Sequence, residues 1–147
     1  MRLQTACGTR VTYNKDHLAA HASVLHLLPD ALKQVDMSNA TGVVAIAVDM
    51  KRVVGVSGCV LTTADDEIVH EYRPGRRWPS RVAVNRTGEP TTTVTVVAVK
   101  RRNGVFLITA YCGSPAPREV GDPSLASDEE AMKESIQFWS THALVTN

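Results

Sequence analysis

The chain has 147 residues, of which 44% are apolar, a length and composition typical of one globular domain that buries a core. Its formal net charge is only +1, but residues 73–102 carry eight basic side chains against one acid, Glu89, a local net charge of +7. Such a segment is typical of a surface that binds a polyanion, with phosphate the first candidate. A solvated basic loop is the alternative.

Cysteine use and hydropathy bear on the compartment. Cys7, Cys59 and Cys112 lack metal-ligand spacing, and their odd number argues against a secreted disulfide framework. No apolar run approaches the roughly 20 residues needed to cross a bilayer, so no membrane association is expected. We expect reduced thiols in a cytoplasmic protein, or in a toxin domain delivered into a target-cell cytoplasm as part of a longer chain.

The first 40 residues predict a helical segment. Apolar residues recur at helical spacing between Lys15 and Val35, and Pro29 is expected to break this stretch into two short helices.

Residues 41–113 predict one antiparallel sheet, because β-branched runs cover residues 43–48, 53–61, 68–72, 81–84, 91–99 and 105–112. Arg102-Asn103-Gly104 is the clearest hairpin signal and is expected to join the two longest strands. Since successive strand residues face opposite sides, Leu107, Thr109 and Tyr111 are expected to share one face of the last strand.

Residues 114–147 predict a proline-rich loop and a C-terminal helix that packs on the sheet. Ser127 is the expected N-cap, and the helix should continue through Trp139. The order of helices, consecutive strands and a final helix indicates a single α+β domain with a twisted, mostly antiparallel sheet.

Among the histidines, His70 lies beside the arginine cluster, and an imidazole can accept and donate a proton near neutral pH. His142 in the C-terminal segment is its main rival. His17 and His21 are one helical turn apart, but no third metal ligand accompanies them, so they and His26 are predicted to be structural or surface residues.

The succession of His70, Arg81 and Thr109-Ala110-Tyr111 resembles the active-site pattern of contact-dependent-inhibition tRNases. These toxins belong to the barnase/EndoU/colicin/RelE-like ribonuclease superfamily. The resemblance covers roughly the second half of the chain. It implies N-terminal helices followed by a twisted antiparallel sheet, and a single cleft lined by His70, Arg81, Thr109 and Tyr111.

The resemblance further implies a metal-independent endoribonuclease that needs no cofactor and cleaves by attack of a ribose 2′-hydroxyl on the adjacent phosphorus. The expected partners are RNA, with tRNA as one candidate, and an immunity protein or antitoxin. The remaining cations of the basic segment are the expected RNA-binding residues: Arg73, Arg76, Arg77, Arg86, Lys100, Arg101 and Arg102.

Two alternatives stay open. One is a non-catalytic module that binds nucleic acid or protein, and a phage genome is one expected source of such a module. The other is an enzyme acting on a nucleotide or another phosphorylated small molecule, although the sequence has no glycine-rich phosphate loop.

Overall fold

The computed structural model describes residues 1–19 and 21–145. These residues form two compact units, each built from two segments of the chain: the described residues of 1–56 with 90–115, and residues 57–89 with 116–145. The α-helices are α1 (Lys15–Ala19), α2 (Ala22–Leu25), α3 (Leu28–Leu32) and α4 (Glu129–Trp139). The strands are β1 (Leu3–Gln4), β2 (Arg10–Tyr13), β3 (Val43–Asp49), β4 (Gly55–Val56), β5 (Cys59–Leu61), β6 (Ile68–Tyr72), β7 (Pro79–Ala83), β8 (Pro90–Thr91), β9 (Thr93–Arg101), β10 (Gly104–Cys112) and β11 (His142–Val145).

The first unit contains a five-stranded sheet in the order β1-β2-β10-β9-β3 and a short β4-β8 pair. All pairings in the five-stranded sheet are antiparallel except β2 with β10. One face of this sheet and helices α1 to α3 form a single apolar core, in which Leu28, Leu32, Val96 and Leu107 are fully buried. The short helices are therefore held by apolar burial, since isolated helices of this length are unstable in water.

A β-bulge interrupts β10. Leu107 pairs with Ala98 and Thr109 with Val97, so Ile108 is an extra residue. Buried Leu107 therefore shares the core face with Ala110 rather than with Thr109. The prediction that Leu107, Thr109 and Tyr111 share a face is wrong for Leu107, because an inserted residue reverses the alternation of side chains.

The second unit contains a four-stranded sheet in the order β5-β11-β7-β6, in which β11 is antiparallel to β5 and parallel to β7. Helix α4 precedes β11 and begins after Asp128, whose carboxylate accepts a hydrogen bond from the Ala131 N–H at 3.1 Å. The N-cap is thus Asp128 and not Ser127, which ends a 3₁₀ turn at Pro123–Ser127. The buried Trp139 donates its indole N–H to the Pro117 and Arg118 carbonyls, each at 3.2 Å.

The α+β class with mostly antiparallel sheets and a C-terminal helix is confirmed. The prediction of one sheet over residues 41–113 is wrong, because their strands are distributed over three sheets. The N-terminal 40 residues also contain β1 and β2, and Pro29 lies in the first turn of α3, where its missing N–H has no helical partner to lose. Within the described ranges, no helix combines the length and apolar character needed to cross a membrane.

Candidate functional site

His70 and Arg81 are direct cross-strand partners in the β6-β7 hairpin of the second unit. Directly opposed residues of an antiparallel pair project from the same face, with Cβ atoms about 4.5–5.5 Å apart. His70 is exposed on the edge strand, and its ring makes no hydrogen bond or ion pair with any other described residue. The structure thus brings together an accessible imidazole and a guanidinium that lie eleven positions apart in the sequence.

Arg81 is half-buried, and its guanidinium is oriented by the protein. Its Nε donates to the His142 carbonyl at 3.2 Å, and its Nη2 donates to the Thr62 hydroxyl at 3.3 Å. The Thr62 hydroxyl in turn donates to the Thr141 carbonyl at 3.0 Å. Within the described part of the chain, Nη1 has no acceptor. The guanidinium is therefore fixed in place and keeps N–H groups that an external anion can use.

Tyr72 is a further residue of this face that the sequence pattern alone did not single out. It lies two positions after His70 on β6, so both side chains project to the same side. The residue is 68% exposed, so its ring is accessible to a base or another planar ligand group. The period-two spacing from His70 is the signal that identifies it in the sequence.

The turn between β6 and β7 carries three of the predicted RNA-binding arginines, all exposed: Arg73, Arg76 and Arg77. The Arg76 guanidinium lies 5.3 Å from the centre of the Trp78 ring. Burial raises the pKa of Asp122, but hydrogen bonds from Ser124 and the charges of Arg118 and Arg76 outweigh it, so that this pKa is lowered. The Arg73 and Arg77 side chains form no ion pair, hydrogen bond or ring contact with another described residue, and they are the available cations of this turn.

The other predicted RNA-binding cations differ in whether a neighbouring group of the protein already contacts their charge. Arg86 contacts both carboxylate oxygens of Asp66, at 3.2 and 3.0 Å, and its charge is balanced. In the first unit, Lys100 donates to the Ser38 carbonyl at 3.0 Å, and the Arg101 guanidinium lies 4.5 Å from the Phe106 ring centre. Arg102 is exposed in the turn that joins β9 to β10.

Thr109 and Tyr111 lie on β10 of the first unit, where both project from the face opposite the core. Their shared face is as predicted. Their convergence with His70 and Arg81 on one cleft stays a prediction. On β9 the facing Thr95 is fully buried, and its hydroxyl donates to the Gly113 carbonyl at 2.7 Å, which gives this threonine a structural role.

The His142 ring is held in place by contacts with neighbouring residues. The ring stacks on Phe138 with centroids 3.9 Å apart, and Nδ1 lies 3.0 Å from the Phe138 carbonyl and 2.9 Å from the Thr141 hydroxyl. The register of β6, β7 and β11 places it on the sheet face opposite His70. Of the two rivals, His70 is therefore the accessible one.

The N-terminal histidines do not form a larger cluster of ligands. The rings of His17 and His21 lie 5.0 Å apart, and burial together with the charge of His17 lowers the pKa of His21. Across residues 1–19 and 21–145, no three His, Cys, Asp or Glu side chains come together in a group that could hold a metal ion.

Comparisons with protein-family models, curated proteins and solved structures found no match to this chain.

Proposed function

We propose that this protein binds RNA through the β6-β7 hairpin and cleaves it by transesterification at His70. The observation that carries the proposal is the cross-strand pairing of an exposed, unpartnered His70 with an oriented Arg81 on one sheet face. The exposed Tyr72 on the same face and the cationic turn beside it add the contacts that a single-stranded RNA needs: a stacking surface and phosphate neutralisation.

In this reaction the ribose 2′-oxygen forms a bond to the adjacent phosphorus as the bond from phosphorus to the 5′-oxygen breaks. The imidazole of His70 takes the proton of the 2′-hydroxyl as a general base while solvent water protonates the leaving 5′-oxygen, or, as imidazolium, it protonates the 5′-oxygen while solvent water takes the proton of the 2′-hydroxyl. The products are a 2′,3′-cyclic phosphate and a 5′-hydroxyl. Arg81 stabilises the negative charge on the non-bridging phosphorane oxygens through its remaining N–H groups.

A second candidate is RNA binding without cleavage. It is favoured by the bonds of Arg81 to Thr62 and His142, which use part of the guanidinium for the fold of the second unit. In that case the same face grips phosphates and bases, but no proton is transferred.

Product analysis separates the two candidates. The purified protein is incubated with total RNA and with tRNA in the presence of a chelator, and the fragments are examined for 2′,3′-cyclic phosphate ends. The nuclease predicts such ends on at least one substrate. Binding with intact RNA on every substrate supports the non-catalytic candidate, and absence of both binding and cleavage contradicts both.

The cationic turn is tested by substituting its two available arginines together, Arg73→Gln with Arg77→Gln. We expect weaker RNA binding and a shallower dependence of log K on log salt, by roughly 0.7 for each phosphate of a single strand that the variant no longer neutralises. Arg52→Gln, which removes one exposed cation of the first unit, is the control and should leave both quantities unchanged. An unchanged salt dependence in the double variant would remove this turn from the RNA-binding surface.

A further inference from the structure

A pocket of about 420 Å³ lies in the first unit, among the residues of β1, β2 and the start of α1. Its polar lining is cationic, with Arg2, Arg10 and Lys15, and no acidic residue lines it. None of these three side chains forms an ion pair or hydrogen bond with another described residue. Three uncompensated cations around one concavity favour a ligand with about two negative charges.

The rest of the lining suits the organic part of such a ligand. Thr12 is exposed, and Tyr13 is half-buried and packs against the apolar core, which holds its ring in place. Leu3 and Val11, buried cross-strand partners, add an apolar part to the wall. The volume lies in the range of about 300–1,000 Å³ that is typical of small-molecule sites.

We propose that this pocket binds a nucleoside phosphate. Arg2, Arg10 and Lys15 bind the phosphate group, the two guanidinium groups through paired N–H donors. The Thr12 hydroxyl, which projects from the same side of β2 as Arg10, contacts the sugar. The site is independent of RNA cleavage at His70, because every residue that it uses belongs to the first unit.

The phosphate can come from a free nucleotide or from the phosphorylated end of an RNA. The test titrates the isotopically labelled protein with adenosine monophosphate, with adenosine, and with an oligoribonucleotide carrying either a 5′-phosphate or a 5′-hydroxyl. The amide signals of Thr12 and Tyr13 are followed by NMR. We expect saturable shifts with the monophosphate or with the 5′-phosphorylated oligonucleotide, and at least about tenfold weaker binding of the matching unphosphorylated ligand. Response to the monophosphate identifies a free nucleotide, and response to the phosphorylated oligonucleotide alone identifies an RNA end.

Substitution assigns the site. Arg2→Gln combined with Arg10→Gln should weaken binding at least about tenfold, and Lys15→Gln alone should weaken it in the same direction. Arg52→Gln removes one positive charge, as Lys15→Gln does, and as a control it should bind as the wild type does. The His70→Ala protein should also bind normally, so that failure of this proposal and failure of RNA cleavage are distinguishable. Equal affinity in the double variant, equal binding of phosphorylated and unphosphorylated ligands, or no saturable shift with either phosphorylated ligand would overturn the proposal.

Discussion

The Asp66 carboxylate connects segments of the second unit through hydrogen bonds and an ion pair. It accepts the Thr63 N–H at 2.7 Å and both bonds from Arg86. The Thr63 hydrogen bond and the Arg86 guanidinium lower the pKa of Asp66, although burial opposes them. A carboxylate with a lowered pKa contributes stability above its ordinary pKa of about 3.9, and that contribution is lost as the pH falls through the folded value.

Asp66→Asn is therefore expected to lower the free energy of unfolding near neutral pH and to have a much smaller effect at about pH 2. Urea unfolding of the wild type and the variant at the two pH values measures this. Asp65→Asn, at the adjacent exposed carboxylate whose side chain bonds to no described residue, is the control. A destabilisation that is equal at both pH values would show that the charge of Asp66 is not the cause.

The three free cysteines differ in accessibility, and we expect them to differ in reactivity. Burial raises the pKa of the Cys59 thiol to about 11 and also raises that of Cys112, so little thiolate forms at either. Cys7 is exposed. Brief treatment of the folded protein with iodoacetamide at mildly alkaline pH should label Cys7 first, as measured by peptide mass spectrometry. Labelling of Cys59 at a comparable rate would contradict its burial.

The candidate site could be predicted from the sequence only in part. His70 is identifiable from its position beside the arginines, and Arg81 from the resemblance. Their direct pairing depends on the exact length of the turn between β6 and β7, which Pro74-Gly75 marks but does not specify. The bonds of Arg81 to Thr62 and His142 join residues far apart in the chain, and no local pattern contains that information.

At the scale of elements, the β9-β10 hairpin depends on Gly104. This residue has φ of 143°, and a Cβ there would lie 2.6 Å from the Arg10 carbonyl oxygen of the neighbouring β2. Any side chain would both strain the backbone and push β2 away from β10, at the end of their parallel pairing.

Gly104→Ala is expected to destabilise the protein by roughly 1–3 kcal/mol. Gly58→Ala is the control, because a Cβ there meets no atom within 4 Å and its φ lies outside the left-handed region. Thermal and urea unfolding of the two variants measure the difference. Equal stability of both would contradict the close approach of β2 to Gly104.

Elements were predicted best where the pattern is local. The β-branched runs anticipated β3, β6 and β10 almost residue for residue, and the Asn-Gly turn between β9 and β10 is confirmed. The division into sheets was not predicted, because β5 and β7 both pair with β11, a four-residue strand that follows α4. So short a segment has too few residues to show an alternation, and its partners lie about 60 to 85 positions away.

At the scale of the whole molecule, the basic segment of residues 73–102, which indicates a polyanion partner, is divided between the two units. Its arginines from 73 to 86 belong to the second unit, and Lys100 to Arg102 belong to the first. Ion pairing with Asp66 further removes Arg86 from the available charge. The local net charge of the sequence therefore overstates the cations that any single hairpin offers to RNA, and RNA binding by the β6-β7 hairpin has to rely on the fewer residues around His70.

The most direct test of RNA cleavage at His70 is a single-turnover cleavage assay of His70→Ala in chelator, with RNA affinity measured in parallel. General acid–base catalysis contributes about 10²–10⁴-fold, so the rate should fall by at least about 100-fold while the affinity is largely retained. His26→Ala, at an exposed histidine of the first unit, is the control and should cleave normally. Cleavage by His70→Ala at the wild-type rate would contradict the assignment and make His142 the next candidate.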